Sequence, residues 1–266
     1  MKFDDLDTKM RLFETAHDHC VLPGVFMVAR IDGRGFTRLT KEVHKFEAPF
    51  DERFRDHMIA TVQHLMQCGF RVQYGYTQSD EISLLFHRDE TLFDRKLRKY
   101  HSVLAGEAST VFSLRLGALA CFDCRISQLA TEQLVVDYFR WRQEDAARNA
   151  LNAHCYWLLR KEGKSVKDAT NALLRLSVPQ KNEFLFQRGI NFGRLPGWQK
   201  RGVGVYWEHY EKQGFNPKTE ASRQRLKVDL ELPMKDDYDA FVQERMSSRP
   251  SPAPNAVATL PPSATS

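Results

Sequence analysis

The chain has 266 residues, 42% of them hydrophobic and 27% charged, an ordinary globular composition that fits one large domain or two small ones. No apolar run approaches the length that spans a bilayer, and the acidic start Met1-Lys2-Phe3-Asp4-Asp5 has no hydrophobic signal core, so a soluble, cytoplasmic protein is expected. A net charge of +5, with pI near 8.9, permits a polyanionic partner without requiring one.

In chain order, residues 6–18, "LDTKMRLFETAHD", predict an amphipathic helix with Leu6, Met10 and Phe13 on one side. "GVFMVARIDGRGF" (24–36) predicts a strand through Ile31 that ends at an Asp-Gly break. A helix over 49–68 follows, with Pro49 near its start and Gly69 just past its end. "RVQYGY" and "EISLLF" predict a hairpin, residues 94–113 a helix, and 116–126 another strand. From about residue 130 the pattern turns helical: one or two long helices over 131–163, then another over 165–176 with Ser165 and Asp168 in capping-box spacing. "KNEFLFQRGIN" and "GVGVYWEHYE" predict short strands or loops packed back on the first half. Residues 247–266, rich in Ser, Pro and Ala, predict a disordered tail. The organisation expected is α+β: a sheet with helices on one face over 1–130, then a mainly helical region over 131–246 packed on it. The five cysteines (Cys20, Cys68, Cys121, Cys124, Cys155) are an odd set with no second pair to complete a zinc site beside "CFDC", and are read as structural thiols.

The stretch "GYTQSDEISLLF" (75–86) sets Asp80 and Glu81 where a half-buried strand begins. The first strand ends in Asp32, so adjacency of the two strands would bring Asp32 and Asp80 to one sheet edge. Like charges about 4 Å apart repel by roughly 4 kcal/mol at an effective dielectric of 20, and either a proton or a cation must offset that. Oxygen ligands, with a backbone carbonyl beside Gly33 as a further one, suit Mg²⁺, and two such ions between two aspartates form the recurring two-metal phosphoryl-transfer site. In "DGRGFT", Gly33 and Gly35 let backbone N–H groups turn inward around a triphosphate. Arg95, Arg98 and Lys99 take helical spacing with Lys96 beside Lys99, a charge run that reads first as a solvated helix face. "RWRQEDAARN" (140–149) interleaves Trp141 with Arg140, Arg142 and Arg148, a pattern suited to RNA phosphates and splayed bases or to an amphipathic helix.

"RIDGRGF", "YGYTQSDEISLLF", "DYFRWRQEDAARNALN" and "KNEFLF" stand in the order seen in the tRNA-His guanylyltransferase family, and the resemblance runs to about residue 245. It implies a palm-like catalytic domain, two Mg²⁺ ions, GTP, ATP and other nucleoside triphosphates as substrates, and a homotetramer built as a dimer of dimers. It further implies nucleotide addition in the 3′-5′ direction at the 5′ end and acceptor stem of tRNA. Motif by motif, Asp32, Asp80 and the Gly33 carbonyl would hold the metals. The run Asp32-Gly33-Arg34-Gly35-Phe36-Thr37, with Ser79, would wrap the triphosphate. Glu81 would be catalytically important without ligating. Lys96 and Lys99 match cations near a second triphosphate. Lys181 and Asn182 match a block near the active site, and with Arg140, Trp141, Arg142, Arg148 and Asn149 they make the tRNA-contacting set.

Three departures bear on specificity. Where eukaryotic members carry His-Ile-Asn-Asn-Leu-Tyr-Asn, this chain has "ARNALNA" (147–153), so Ala147 stands at the histidine position while Asn149 and Leu151 match. That loss resembles the "like-protein" branch, whose members extend 5′-truncated tRNAs on a template. Thr37 replaces a frequent His. Ala48 replaces a frequent Lys, leaving Lys45 or another cation to cover that contact. The competing readings are a palm-type nucleotide cyclase and a catalytically silent tRNA-binding module.

Overall fold

Three of the four strands of the first half alternate between two buried faces, and that alternation sets the architecture. The computed structural model describes residues 2–212 and 221–247. In order they form α1 (Phe3–Thr15), β1 (Phe26–Gly33), α2 (Phe36–Arg38) running into a π-helical turn (Leu39–Val43), α3 (Glu52–Leu65), β2 (Val72–Gln78) and β3 (Glu81–Phe86). A 3-10 turn (Leu92–Arg95), α4 (Leu97–Leu116), β4 (Phe122–Leu129), α5 (Glu132–Lys161), α6 (Val166–Leu173) and α7 (Val178–Phe186) follow. The described chain closes with α8 (Gly197–Arg201), β5 (Val203–Lys212), β6 (Ala221–Asp229) and α9 (Asp236–Ser247). The strands make one antiparallel sheet in the order β4-β1-β3-β2-β5-β6.

Met27, Ala29 and Ile31 of β1 join Ile82, Leu84 and Phe86 of β3 against α3 and α4. Phe26 and Val28 turn the other way, with Tyr74, Tyr76 and Leu85, onto α5 and α9. Helices of the first half therefore cover one face, as expected, and the C-terminal region covers the second. That region also contributes β5, paired with β2, so the sheet runs through the expected boundary at 130.

Several element predictions need correction. "KNEFLF" is not a strand: Ser177 and Gln180 form a reciprocal capping box with Pro179 in the first turn, and α7 begins there. β6 had no counterpart in the sequence reading. The strand expected at 116–126 begins at Phe122, after Gly117 closes α4 in the left-handed region. The helix expected from 94 begins at Leu97. Arg95, at φ 58°, precedes it and is buried, donating to the carbonyls of Val21, Val25, Arg88 and Glu90. It therefore belongs to no basic helix face. The tail expected over 247–266 lies, from residue 248 on, outside the described residues.

Candidate active site

β1 changes character where α5 ceases to cover it. Phe26 and Val28 are buried, and the next two residues on that face are Arg30 and Asp32. Register places Asp32 opposite Glu81 of β3 and opposite Asp123 of β4. Three carboxylates thus share one face across adjacent strands, with Arg30 and Arg125 among them. Arg30 pairs closely with Glu81, and its guanidinium is 3.7 Å from Asp32. Arg125 stands 3.7 Å from Asp32 and 3.6 Å from Asp123.

Asp80 arrives from the two-residue turn between β2 and β3. Ser79 takes the left-handed conformation (φ 53°) and its hydroxyl donates to Asp80 at 3.0 Å. The Gly33 N–H donates to the Asp80 carbonyl, also at 3.0 Å, which fastens the turn to the end of β1. Burial pushes the Asp80 carboxyl above its ordinary value, and the like charges of Asp32 and Glu81 add to that. The structure brings Asp32, Gly33, Ser79, Asp80 and Glu81 together at this edge.

The glycine loop has a definite backing. A Cβ on Gly33 would lie 2.5 Å from the Phe36 ring, so only glycine lets that ring fold beneath the loop. Phe36 is anchored there by Phe54, Phe112 and Phe122 and forms the loop's floor. Gly35, at φ 73°, caps the short α2.

Beside the loop lies a cavity of about 160 Å³, walled by Phe46, Phe50, Phe54 and Trp198 and reaching Thr37, Ser79 and Asp80. Its cations are Lys41, and Arg55 stacked on Trp198 at 4.7 Å; Lys45 is not among its lining residues. Sequence reasoning missed this cavity. The stretch "PFDER" held a signal in its aromatic-acid-cation alternation, but Trp198 reaches it only through the fold.

The other expected residues divide. Arg34 follows Gly33, its N–H bonded to the Cys121 carbonyl. Lys96 and Lys99 stand at the opposite end of the sheet, beside the chain that enters β1: Arg95 and Leu97 bond to Val21 and His19. At the usual rise, the six steps from Phe26 to Asp32 put that end of β1 about 20 Å from Asp32. Lys96 pairs there with Asp18 and Asp94. Arg140 is tied to Asp236 and Asp239 of α9. Arg142 is buried, bonded to Asp145 at 2.6 Å and 3.7 Å from Glu81. Trp141 and Arg148 are exposed on α5, and Lys181 donates to Asn152 at 3.1 Å. Ala147 and Asn182 line a cavity beside Trp141 and Arg148, whereas Asn149 lines one that opens on Asp80.

Among the described residues no three His, Cys, Asp or Glu side chains form a ready metal cage. The donor set at the edge is two carboxylates and the Gly33 carbonyl, all hard oxygens. Mg²⁺ is commonly held by so few protein ligands, with water and substrate phosphates completing its shell. Burial and the neighbouring Asp32 and Glu81 penalise the Asp80 charge, which a cation would offset, so hard-oxygen residues of this kind fit such an ion.

An acid-rich sheet edge, a glycine turn and an aromatic cavity on an antiparallel sheet suit the class of proteins that hold a nucleotide. A family model described as tRNAHis guanylyltransferase matches residues 7–130, and one described as Thg1 C terminal domain matches residues 133–238. The chain belongs to the tRNA(His) guanylyltransferase family. A probable tRNA(His) guanylyltransferase of Drosophila melanogaster is 34% identical over 196 residues, 70% of this chain and 68% of that one. The tRNA(His) guanylyltransferase of Debaryomyces hansenii is 31% identical over 232 residues, 80% of this chain and 87% of that one. Among solved structures, a bacterial tRNA(His) guanylyltransferase (Thg1)-like protein in complex with GTP superposes with a TM-score of 0.70 at 28% identity, over 92% of this chain and all (100%) of that one. The Saccharomyces cerevisiae enzyme superposes with a TM-score of 0.70 at 25% identity, over 84% and 96%. No helix of the described residues is long and apolar enough to cross a membrane.

Proposed function

We propose that this chain is a Mg²⁺-dependent nucleotidyltransferase that adds GTP and other nucleoside triphosphates to the 5′ end of tRNA in the 3′-5′ direction, in maturation or template-directed repair. The observation that carries the reading is the meeting of Asp32, Glu81 and Asp80 at one sheet edge, beside an aromatic cavity and the Gly33–Thr37 loop. Family membership supports it, as does the nucleotide in the bacterial relative's complexes with GTP and with ATP.

In this reading the base lies among Phe46, Phe50, Phe54 and Trp198, and the triphosphate follows the loop's N–H groups and the Ser79 hydroxyl. Asp32, Asp80 and the Gly33 carbonyl would hold two Mg²⁺ ions, which when bound lower the pKa of the attacking 3′-hydroxyl and neutralise leaving-group charge. Arg30 and Arg142 hold the Glu81 carboxylate beside the reacting groups. A tRNA 5′-monophosphate is a poor electrophile, so it would first be nucleotidylated, whereas a 5′-triphosphate end needs no activation. Positioning and electrostatics supply the rate, and no protein nucleophile is required. Arg148, Trp141, Asn149, Lys181 and Asn182 form the tRNA-facing side of α5 and α7. The assembly is proposed as a homotetramer, and the compartment as the cytoplasm, where the five free thiols stay reduced.

The test is incorporation of labelled GTP into a tRNA lacking its first nucleotide and carrying a 5′-triphosphate, with Mg²⁺, by wild type and Asp80→Ala. Template-matched extension should fall at least about 100-fold in the variant, since even outer-shell metal partners cost 10–100-fold. A folded wild type that binds tRNA and GTP but extends nothing sinks the polymerase reading. Cyclic product formed without RNA would replace it with the cyclase.

A further inference from the structure

Of the two cations in the aromatic cavity, Lys41 is the one that no acid among the described residues consumes. After α2 the chain widens into the π-helical turn, closed by the His44 N–H on the Leu39 carbonyl at 3.0 Å. That turn buries Thr40, whose hydroxyl donates to the Phe36 carbonyl at 2.7 Å. Its neighbour Lys41 lines the cavity one turn beyond Thr37. Single π-helical turns of this kind are frequent at functional sites.

Lys41 is half-buried, with its ammonium 5.2 Å from the centre of the Trp157 ring of α5. Among the described residues no carboxylate stands within ion-pair distance of it. Asp51 is the acid that acts on it, yet both Asp51 oxygens are taken. One accepts from the backbone of Arg53 and Phe54 and from the Arg53 Nε, the other from the Glu47 backbone and the Arg53 Nη2. Arg55, the second cation, is committed to Trp198, Glu52 and Asp56. Burial pulls the Lys41 ammonium below its ordinary value, so an acceptor brought to it counts for more than one in water.

A ligand supplies that acceptor, and the cavity's walls say which part of it. Phosphates belong at the other end, where the loop N–H groups, Ser79 and Asp80 meet. Lys41 stands on the aromatic side: His154, one turn before Trp157 on α5, packs on Phe50 with ring centres 5.4 Å apart. A flat base held among Phe46, Phe50, Phe54 and Trp198 therefore turns an edge toward the ammonium. Guanine offers two adjacent acceptors on one edge, O6 and N7, and lysine is a common partner for that pair. Adenine carries the N6 amino donor in place of O6, and an ammonium, which has no acceptor, is repelled by it.

We propose that Lys41 sets the base preference of the nucleotide site, its ammonium taking O6 and N7 of guanine and disfavouring adenine. This rests on the reading above that a base seats in this cavity, and adds the choice of base, which the bacterial relative's complexes with GTP and with ATP leave open.

The experiment is calorimetric binding of GTP, ITP, ATP and inorganic triphosphate, with Mg²⁺ and without RNA. ITP keeps O6 and N7 but lacks the 2-amino group. Proteins are wild type, Lys41→Met, which keeps an unbranched stem against Trp157, and Lys41→Arg, which keeps the charge. Wild type should bind GTP and ITP about 10-fold more tightly than ATP, the scale of one good charge-assisted contact. Lys41→Met should bind all three alike, Lys41→Arg should retain the preference, and inorganic triphosphate should not distinguish the proteins. Equal affinity of wild type for GTP and ATP overturns the assignment, as does a full preference in Lys41→Met. An equal loss for every nucleotide and for inorganic triphosphate places Lys41 on the phosphates and overturns it too. ITP that binds wild type like ATP gives the reading to the 2-amino group and overturns it without recourse to a variant. Labelled-GTP transfer by the same proteins separates the two claims. Transfer with a preference indifferent to Lys41 removes only the Lys41 assignment; a Lys41-dependent preference without transfer removes only the activity.

Discussion

Asp51 shows how one residue can fix both the cavity and the helix beneath it. It caps α3, accepting from the backbone N–H groups of Arg53 and Phe54, and also accepts from that of Glu47, while its side chain is almost wholly buried. The Arg53 guanidinium, with those backbone donors, holds its carboxyl far below the ordinary value of 3.8 despite the opposing effect of burial. Asp51→Ala should cost about 1–2 kcal/mol at neutral pH, the usual worth of a strong N-cap. Because the folded value is depressed, this contribution is fully present above 3.8 and is lost as pH falls through the folded value. Urea unfolding of wild type and variant should therefore show a constant gap at neutral pH that narrows in strong acid, and a gap that widens there would refute the assignment. At this scale the sequence was most informative where chemistry is local. Asp32, Gly33 and Asp80 sit in short runs whose composition already implies a loop, a turn and a strand start. Arg55 and Trp198 were illegible because their roles arise only when β5 pairs with β2 and α8 settles on α5. Lys96 and Lys99 failed to reach the cluster for the converse reason: residue type matched, but chain direction carried them to the far end of β1.

Among the elements, α5 decides most, since it closes the second sheet face at one end and lines two cavities at the other. Its N-terminal half buries Val135, Val136 and Phe139 against Phe26, Val28 and Tyr74. Phe139 is fully buried, its ring 5.1 Å from that of Tyr74. Phe139→Ala should cost about 3–5 kcal/mol, as large-to-small changes in a packed core do. The neighbouring Arg140 holds α9 through Asp236 and Asp239 at the surface, so Arg140→Ala should cost far less than Phe139→Ala. Thermal and denaturant unfolding of the pair compares packing with charge directly, and equal losses would mean that α9 docks electrostatically. Element type was legible wherever period and caps agreed, as for α3, α5 and the β2–β3 hairpin. It failed at α7, where the apolar alternation in "NEFLF" masked a capping box already present at Ser177. It was silent at β6, an edge strand whose charged residues are of the kind that blunts a sheet edge.

For the whole molecule, the revealing fact is that chain order and sheet order disagree. The family models meet near residue 130, one matching 7–130 and the other 133–238. The change there is real in composition, because strands give way to helices. The fold nevertheless returns across that point: β5 pairs with β2 from Tyr74↔Tyr206 to Thr77↔Val203, and α5 and α9 cover the face that β1, β2 and β3 leave apolar. Periodicity could show that these strands are apolar on both sides, but not which later segment would cover the second side. A fragment ending at residue 130 would expose Phe26, Val28, Tyr74, Tyr76 and Leu85 together, and the β2 edge would lack its partner. Such a face invites association, and a half-covered sheet cannot offset the entropy of ordering its chain. Residues 1–130 expressed alone should therefore melt without a cooperative transition and bind a hydrophobic dye, whereas the full chain should melt cooperatively. A sharp, reversible melt in the fragment would show that the catalytic edge is built by the first half alone, and would reduce α5 to a substrate-facing addition instead of a wall of the core.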